Sequence, residues 1–153
     1  MDSNFFPMHS PAPAPSLIPY GAPIDLNTAK RIAAEAGKEA DANGWPVVIA
    51  IVDSGANLVL LLRHDTAQLA SIDIAQAKAR TAARMKRPTK MLEDGVSAGG
   101  AGLRVLALDG ILPMEGGLPI LVEGKIIGAI GVSGVTSAQD GLVAAAGLRA
   151  LEG

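Results

Sequence analysis

The residues best suited to chemistry in this chain fall into three short groups. Arg63-His64-Asp65 closes an aliphatic run, Glu115-Gly116-Gly117 stands ahead of another, and Lys78 and Thr81 lie one turn apart in an alanine-rich stretch. An imidazole titrates near neutrality, so His64 could move a proton, contact a ligand or bind iron. On a continuing strand, neighbouring side chains point to opposite faces, which puts Arg63 and Asp65 on one side and His64 on the other. A His–Asp dyad from adjacent residues is therefore disfavoured. The plainer alternative for His64 is an imidazole at a strand end, bonded to backbone. Glu115 could be a general base if its turn buries it, and Gly116 and Gly117 would let backbone approach a ligand closely. The same turn could equally carry a solvated carboxylate. Arg63 and Lys78 are the cations placed to meet ligand carboxylates. Arg80, Arg84, Lys86 and Arg87 gather at the end of the same alanine-rich stretch, as a solvated face or as a second site for carboxylates.

Other chemistries are excluded by what the sequence lacks. There is no cysteine, so thiolate catalysis, disulfides and cysteine-held metals are ruled out. No HExxH and no spaced histidine pair is present, so no protein-only metal site is expected. The glycine-rich Ser97–Gly102 lacks the Gly-Lys-Ser/Thr ending of a phosphate loop and reads better as a lid over a pocket. A net charge of −2 gives no basic excess for nucleic acid, and no apolar run reaches membrane-spanning length. The N-terminal stretch has no cationic start and no continuous apolar core, so a soluble, cytoplasmic protein is the expectation.

The elements that must position these residues are legible from periodicity. At 153 residues, 49% hydrophobic, the chain is one domain able to bury a core unaided. Residues 1–23 are rich in Pro and Ala and hold Phe5, Phe6 and Tyr20. They form an arm that is either disordered or crosses to a neighbouring subunit. Residues 24–153 are the folded domain. Asp25 or Asn27 caps a helix that runs to Asn43 and stops at Gly44. Val47–Arg63 reads as two strands around Asp53-Ser54-Gly55-Ala56-Asn57, a hairpin expected at the centre of a sheet with both faces covered. A second helix covers about 68–86, its Ala75, Ala79, Ala82 and Ala83 stripe set against the sheet. A short turn from Thr89 to Leu92, a flexible loop over 95–102 and another turn at 103–108 follow. Strands are expected at Ile111–Met114, Leu118–Val122 and Lys125–Ser133, the last two joined at Glu123-Gly124. Thr136 or Ser137 caps a final helix to Leu151. This order favours an α/β sandwich on an antiparallel sheet over a doubly wound parallel fold.

Four phrases in this order resemble the GlcG/HbpS-like family: Ile49–Asp65, Ala75–Ala82, Gly116–Gly134 and Gln139–Gly147. That family comprises haem-binding or haem-degrading proteins and includes the C-terminal domain of PduO corrinoid adenosyltransferases. The resemblance implies a profilin-like α+β sandwich with a five-stranded antiparallel sheet and helices on both faces. It further implies a homo-oligomer with a pocket for haem, a corrinoid or another small organic ligand. Family members that ligate haem often do so from a histidine in the first helix. Residues 25–43 contain none, which leaves His64 as the possible iron ligand. Where members commonly carry Asp-Gly-Ala after the strand's Arg, this chain has His64-Asp65-Thr66-Ala67.

Two functions are consistent with these residues. One is a homo-oligomeric binding protein for haem or a related tetrapyrrole or small organic acid, with Arg63, His64, Lys78, Glu115, Gly116 and Gly117 at the ligand. The other is a cofactor-independent isomerase, lyase or hydrolase acting on a small organic acid or carbonyl compound, with His64 and Glu115 exchanging protons and Arg63 polarising an oxygen. The second requires His64 and Glu115 to converge on one cavity.

Overall fold

The structure, a computed structural model, describes residues 14–152. Phe5, Phe6 and His9 of the arm lie outside the described residues. Helix α1 (Leu26–Asn43) begins where the Asp25 carboxylate accepts the Thr28 N–H at 2.7 Å, and ends at Gly44 in left-handed backbone, φ 69°. Its Ala29, Ile32, Ala33, Ala36 and Ala40 are buried, as the spacing predicts, whereas Leu26, expected on the same face, is 48% exposed at the helix start. Strands β1 (Val48–Asp53) and β2 (Leu58–Arg63) follow, with the Asp53 carboxylate accepting the Gly55 and Asn57 N–H groups to close the turn. Then come α2 (Ala70–Met85), α3 (Thr89–Ala98), a 3-10 helix over Gly100–Ala107, β3 (Gly117–Val122), β4 (Lys125–Ser133) and α4 (Ser137–Leu148). Thr136 caps α4 reciprocally with Gln139.

The sheet is antiparallel with order β2-β1-β4-β3. It has four strands rather than five. Ile111–Met114 is not a strand, because Pro113 has no N–H to give and the Leu112 N–H is bonded to Thr81 Oγ1 of α2 at 2.9 Å. The hairpin is also less central than expected: β1 is interior and wholly buried except Asp53, whereas β2 is an edge whose residues are only partly covered. The segment over 95–102 is a third departure. Helix α3 runs through Gly95 to Ala98 and the 3-10 helix takes Gly100 and Gly102, with Gly99 between them at φ 75°, so this stretch is mostly helical where a loop is predicted.

Helices α1 and α4 pack on one face of the sheet against Ile49, Ile51, Ile130 and Val132. The α2 alanines pack on the other against Val48, Ala50, Val52 and Ala129. Alanine alone would not bring α2 so close. A Cβ on Gly131 of β4 would strike the Ala75 carbonyl, so the glycine lets helix backbone rest directly on strand backbone. The described end of the arm lies on its own domain: Gly21 and Ile24 N–H groups donate to Ile126 and Ile127 carbonyls, and the Tyr20 hydroxyl donates to Ala83 O at 2.7 Å.

Candidate functional site

The sequence-predicted residues separate onto the two edges of one end of the sheet. On the β2 edge, Arg63 ends the strand and His64 continues its pairing, donating its N–H to Val47 O. His64 Nδ1 accepts the Val47 N–H at 3.0 Å, so Nδ1 carries no proton and the neutral ring bears its hydrogen on Nε2. Nε2 lies 3.3 Å from Asp41 Oδ1 at the end of α1. The plainer sequence reading, an imidazole bonded to backbone at a strand end, is therefore met. Arg63 is exposed and, among the described residues, forms no ion pair. Between α1 and this edge opens a groove of about 530 Å³ lined by Ala33, Ala34, Gly37, Lys38, Asp41, Leu62, Arg63, His64 and Asp65. Small residues of α1 make its wall, and its polar lining combines Arg63, the Glu35-paired Lys38 and the imidazole with the Asp41 and Asp65 carboxylates.

On the β3 edge the polar groups face inward. Lys78 lies on the α2 alanine stripe, and its ammonium is buried, donating to Asp140 Oδ2 at 2.9 Å and to Val132 O at 3.0 Å. The other Asp140 oxygen accepts the Val135 N–H at 3.1 Å, fastening the β4–α4 connection. Burial pushes the Asp140 carboxyl above its usual range, against the pull of the Lys78 cation. Gly116, at φ 131°, and Gly117 are close-packing positions rather than room for a ligand: a Cβ on Gly116 would strike the Val132 carbonyl and then Lys78 Nζ, and one on Gly117 would strike the Lys78 carbonyl. Gly117 N–H donates to the buried Thr89 Oγ1 at 2.8 Å. Glu115, half-buried, packs over Gly141 in α4, where any side chain would displace it.

His64 and Glu115 are thus not brought together. Gly116 still pairs with Val132 and His64 with Val47, so strands β1 and β4 stand between them. Three inter-strand spacings put them about 14 Å apart. Arg63 and His64 do share one groove; Lys78, Glu115, Gly116 and Gly117 share the closed opposite edge. Sequence reasoning missed Asp140 and Asp41. Asp140 had a signal: with Val143, Ala144 and Gly147 it lies on the buried stripe of α4, as Lys78 does with Ala75, Ala79 and Ala82 on α2. A cation and an acid on two buried stripes are each other's natural partners. Asp41 had none, since its contact needs the α1–β2 packing.

A group as large as haem can be tested against the open edge. Of the two cations lining the groove, Arg63 is, among the described residues, the one without an ion-pair partner and so the one open to haem carboxylates, whereas Lys38 is paired with Glu35 at 2.9 Å. Its iron does not fit His64 as that ring is held, because Nδ1 has given its lone pair to Val47 and Nε2 bears the hydrogen. Among the described residues no cluster of His, Asp and Glu is arranged to hold a bare metal ion, and no helix is long and apolar enough to cross a membrane.

The fold is an α+β sandwich, a four-stranded antiparallel sheet between two helices and one, with an open groove on one edge. The chain belongs to the family described as haem degrading protein HbpS-like, whose family model matches residues 24–149. Protein GlcG of Escherichia coli is 43% identical over 110 residues, 72% of this chain and 81% of GlcG. A double mutant of Streptomyces reticuli HbpS superposes with a TM-score of 0.78 at 30% identity, covering 87% of this chain and 89% of that one. The PduOC:Heme complex superposes with a TM-score of 0.78 at 29% identity, covering 86% of this chain and 96% of that one.

Proposed function

We propose that this chain is a homo-oligomeric small-ligand-binding protein whose ligand is haem or a related tetrapyrrole. The likeness to a PduOC:Heme complex and to HbpS supports the ligand class. The observation that carries the reading to residues is the α1–β2 groove. A wall of Ala33, Ala34 and Gly37 leaves room for a flat apolar body, and Arg63 in the same lining is the cation its carboxylates would meet. Haem supplies redox chemistry at iron when bound. The chain's own residues supply the apolar wall and the cation, and His64 lines the groove. For His64 to serve as iron ligand, the Val47 N–H bond has to open and the ring proton has to move to Nδ1. The enzyme reading with His64 and Glu115 as a proton-exchanging pair lacks the shared cavity it requires. Lys78, Glu115, Gly116 and Gly117 stand on the opposite edge and do not line the groove.

An absorbance titration with hemin tests this on wild type, Arg63→Glu and His64→Ala. A saturable Soret shift is expected in wild type. Arg63→Glu should weaken it by about tenfold, the loss of one charge-assisted contact. His64→Ala should leave the affinity within about threefold, since the imidazole is engaged by backbone. Abolition by His64→Ala would instead assign iron ligation to that ring. No saturable shift in wild type would overturn the haem reading.

A further inference from the structure

The 3-10 helix Gly100–Ala107 is used by nothing described so far, and helix α3 only through Thr89 at its start. A 3-10 helix has three residues per turn, so side chains at i and i+3 stack along one line. Gly102 and Val105, followed by Leu108 just past the helix end, form one such line, which faces α3. With Met85, Met91, Leu92 and Arg104 it encloses an almost wholly apolar hollow of about 270 Å³. The Gly95 carbonyl and Gly102 backbone meet where a Cβ could not fit, and this close approach shuts the hollow at one side. Gly100, Leu103 and Leu106 form the next line, which faces outward. Leu103 is 47% exposed, Leu106 61%, Leu108 49% and Met91 49%. Four large apolar side chains about half uncovered in one stretch make a patch that monomers seldom leave in water.

We infer that a second copy of this chain docks on this face, the Leu103–Leu106 ridge of each copy seated in the hollow of the other. The inference rests on the homo-oligomeric part of the proposed function and names its surface. A ridge and a hollow side by side on one element are what a two-fold interface needs, because each copy then offers both halves of the contact. The rim is complementary to itself in charge as well. Arg104 lines the hollow, and Asp109 follows directly after Leu108. Both are exposed, and among the described residues neither has an ion-pair partner. A two-fold axis through the patch lets Arg104 of each copy meet the Asp109 carboxylate of the other, giving a charged rim around an apolar centre.

Light scattering on the size-fractionated full chain tests this for wild type, Leu106→Glu, Arg104→Asp and the double variant Arg104→Asp with Asp109→Arg. Leu106 points away from its own core, so its substitution should leave the secondary structure seen by circular dichroism unchanged, any fall in melting temperature being the lost association. Wild type is expected as an even-numbered assembly, and Leu106→Glu at half its mass with association at least about 100-fold weaker, a buried charge replacing an apolar contact. Arg104→Asp should weaken association and the double variant restore it. A monomeric wild type at about 100 µM, where a specific interface is saturated, would overturn the inference. Unchanged mass for Leu106→Glu would overturn it equally. So would halving of the mass by Leu58→Glu in its place, which would locate the contact on the β2 edge. Hemin binding is a separate readout: its absence would sink the haem reading and leave the mass results standing.

Discussion

The two edges of one end of the sheet hold the same kinds of residue in opposite states. On the β3 edge, Lys78 and Asp140 are buried against each other, and glycines clear the space for them. On the β2 edge, Arg63 is in solvent, His64 is 23% exposed and Asp41 is 74% exposed. The difference lies in where each charge stands in the periodicity of its element. A charge on a buried helical stripe must be neutralised inside the protein and so becomes part of the fold. A charge where a strand runs out remains free for something that arrives from solution.

Breaking the closed edge should produce the largest effect. Lys78→Ala leaves the Asp140 carboxylate buried without its cation, which should lower unfolding stability by about 3–5 kcal/mol in a urea titration. Gly117→Ala should rank next, about 1–3 kcal/mol by the same measurement, because the new methyl meets the Lys78 carbonyl oxygen and cannot be absorbed by a rotamer change. A smaller effect should follow pH. Burial raises the Asp140 pKa, so the folded chain holds that proton more tightly than the unfolded one. Stability from this group therefore falls as pH rises from the ordinary carboxylate value to the raised one, then levels off. The difference between wild type and Asp140→Asn, measured by melting across acid pH, should show that slope; a difference flat or rising over that range would contradict the assignment. On the open edge, Arg63→Glu should change stability by no more than about 0.5 kcal/mol while weakening hemin binding. A large loss of stability there would erase the contrast between the edges.

Much of the fold was legible residue by residue. The Asp25 cap, the Gly44 stop, the alanine stripe of α2 and the Thr136 cap are local signals, and each acts within a few residues of itself. The errors came where a distant contact outweighed local preference. Ile111–Met114 has strand-like residues, yet Thr81 takes its free N–H. The glycines over 95–102 suggest a loop, yet α3 and the 3-10 helix cross at Gly95 and Gly102, where a bulkier residue could not go. The candidate site divided in the same way. Arg63 at a strand end was readable as an available cation, whereas nothing within ten residues of Lys78 reveals the carboxylate that takes it up.

From its sequence alone this protein has most of its element types and its antiparallel α+β class, because capping, side-chain spacing and turn chemistry are short-range, and its family, through the four phrases that resemble it. Only the tertiary structure decided which polar residues are available. The Lys78–Asp140 pair spans 62 positions of chain, and the Nε2–H form of His64 depends on a backbone N–H 17 positions away. The free energy of a charged or titratable group is set by what surrounds it in space, and sequence separation carries no record of that.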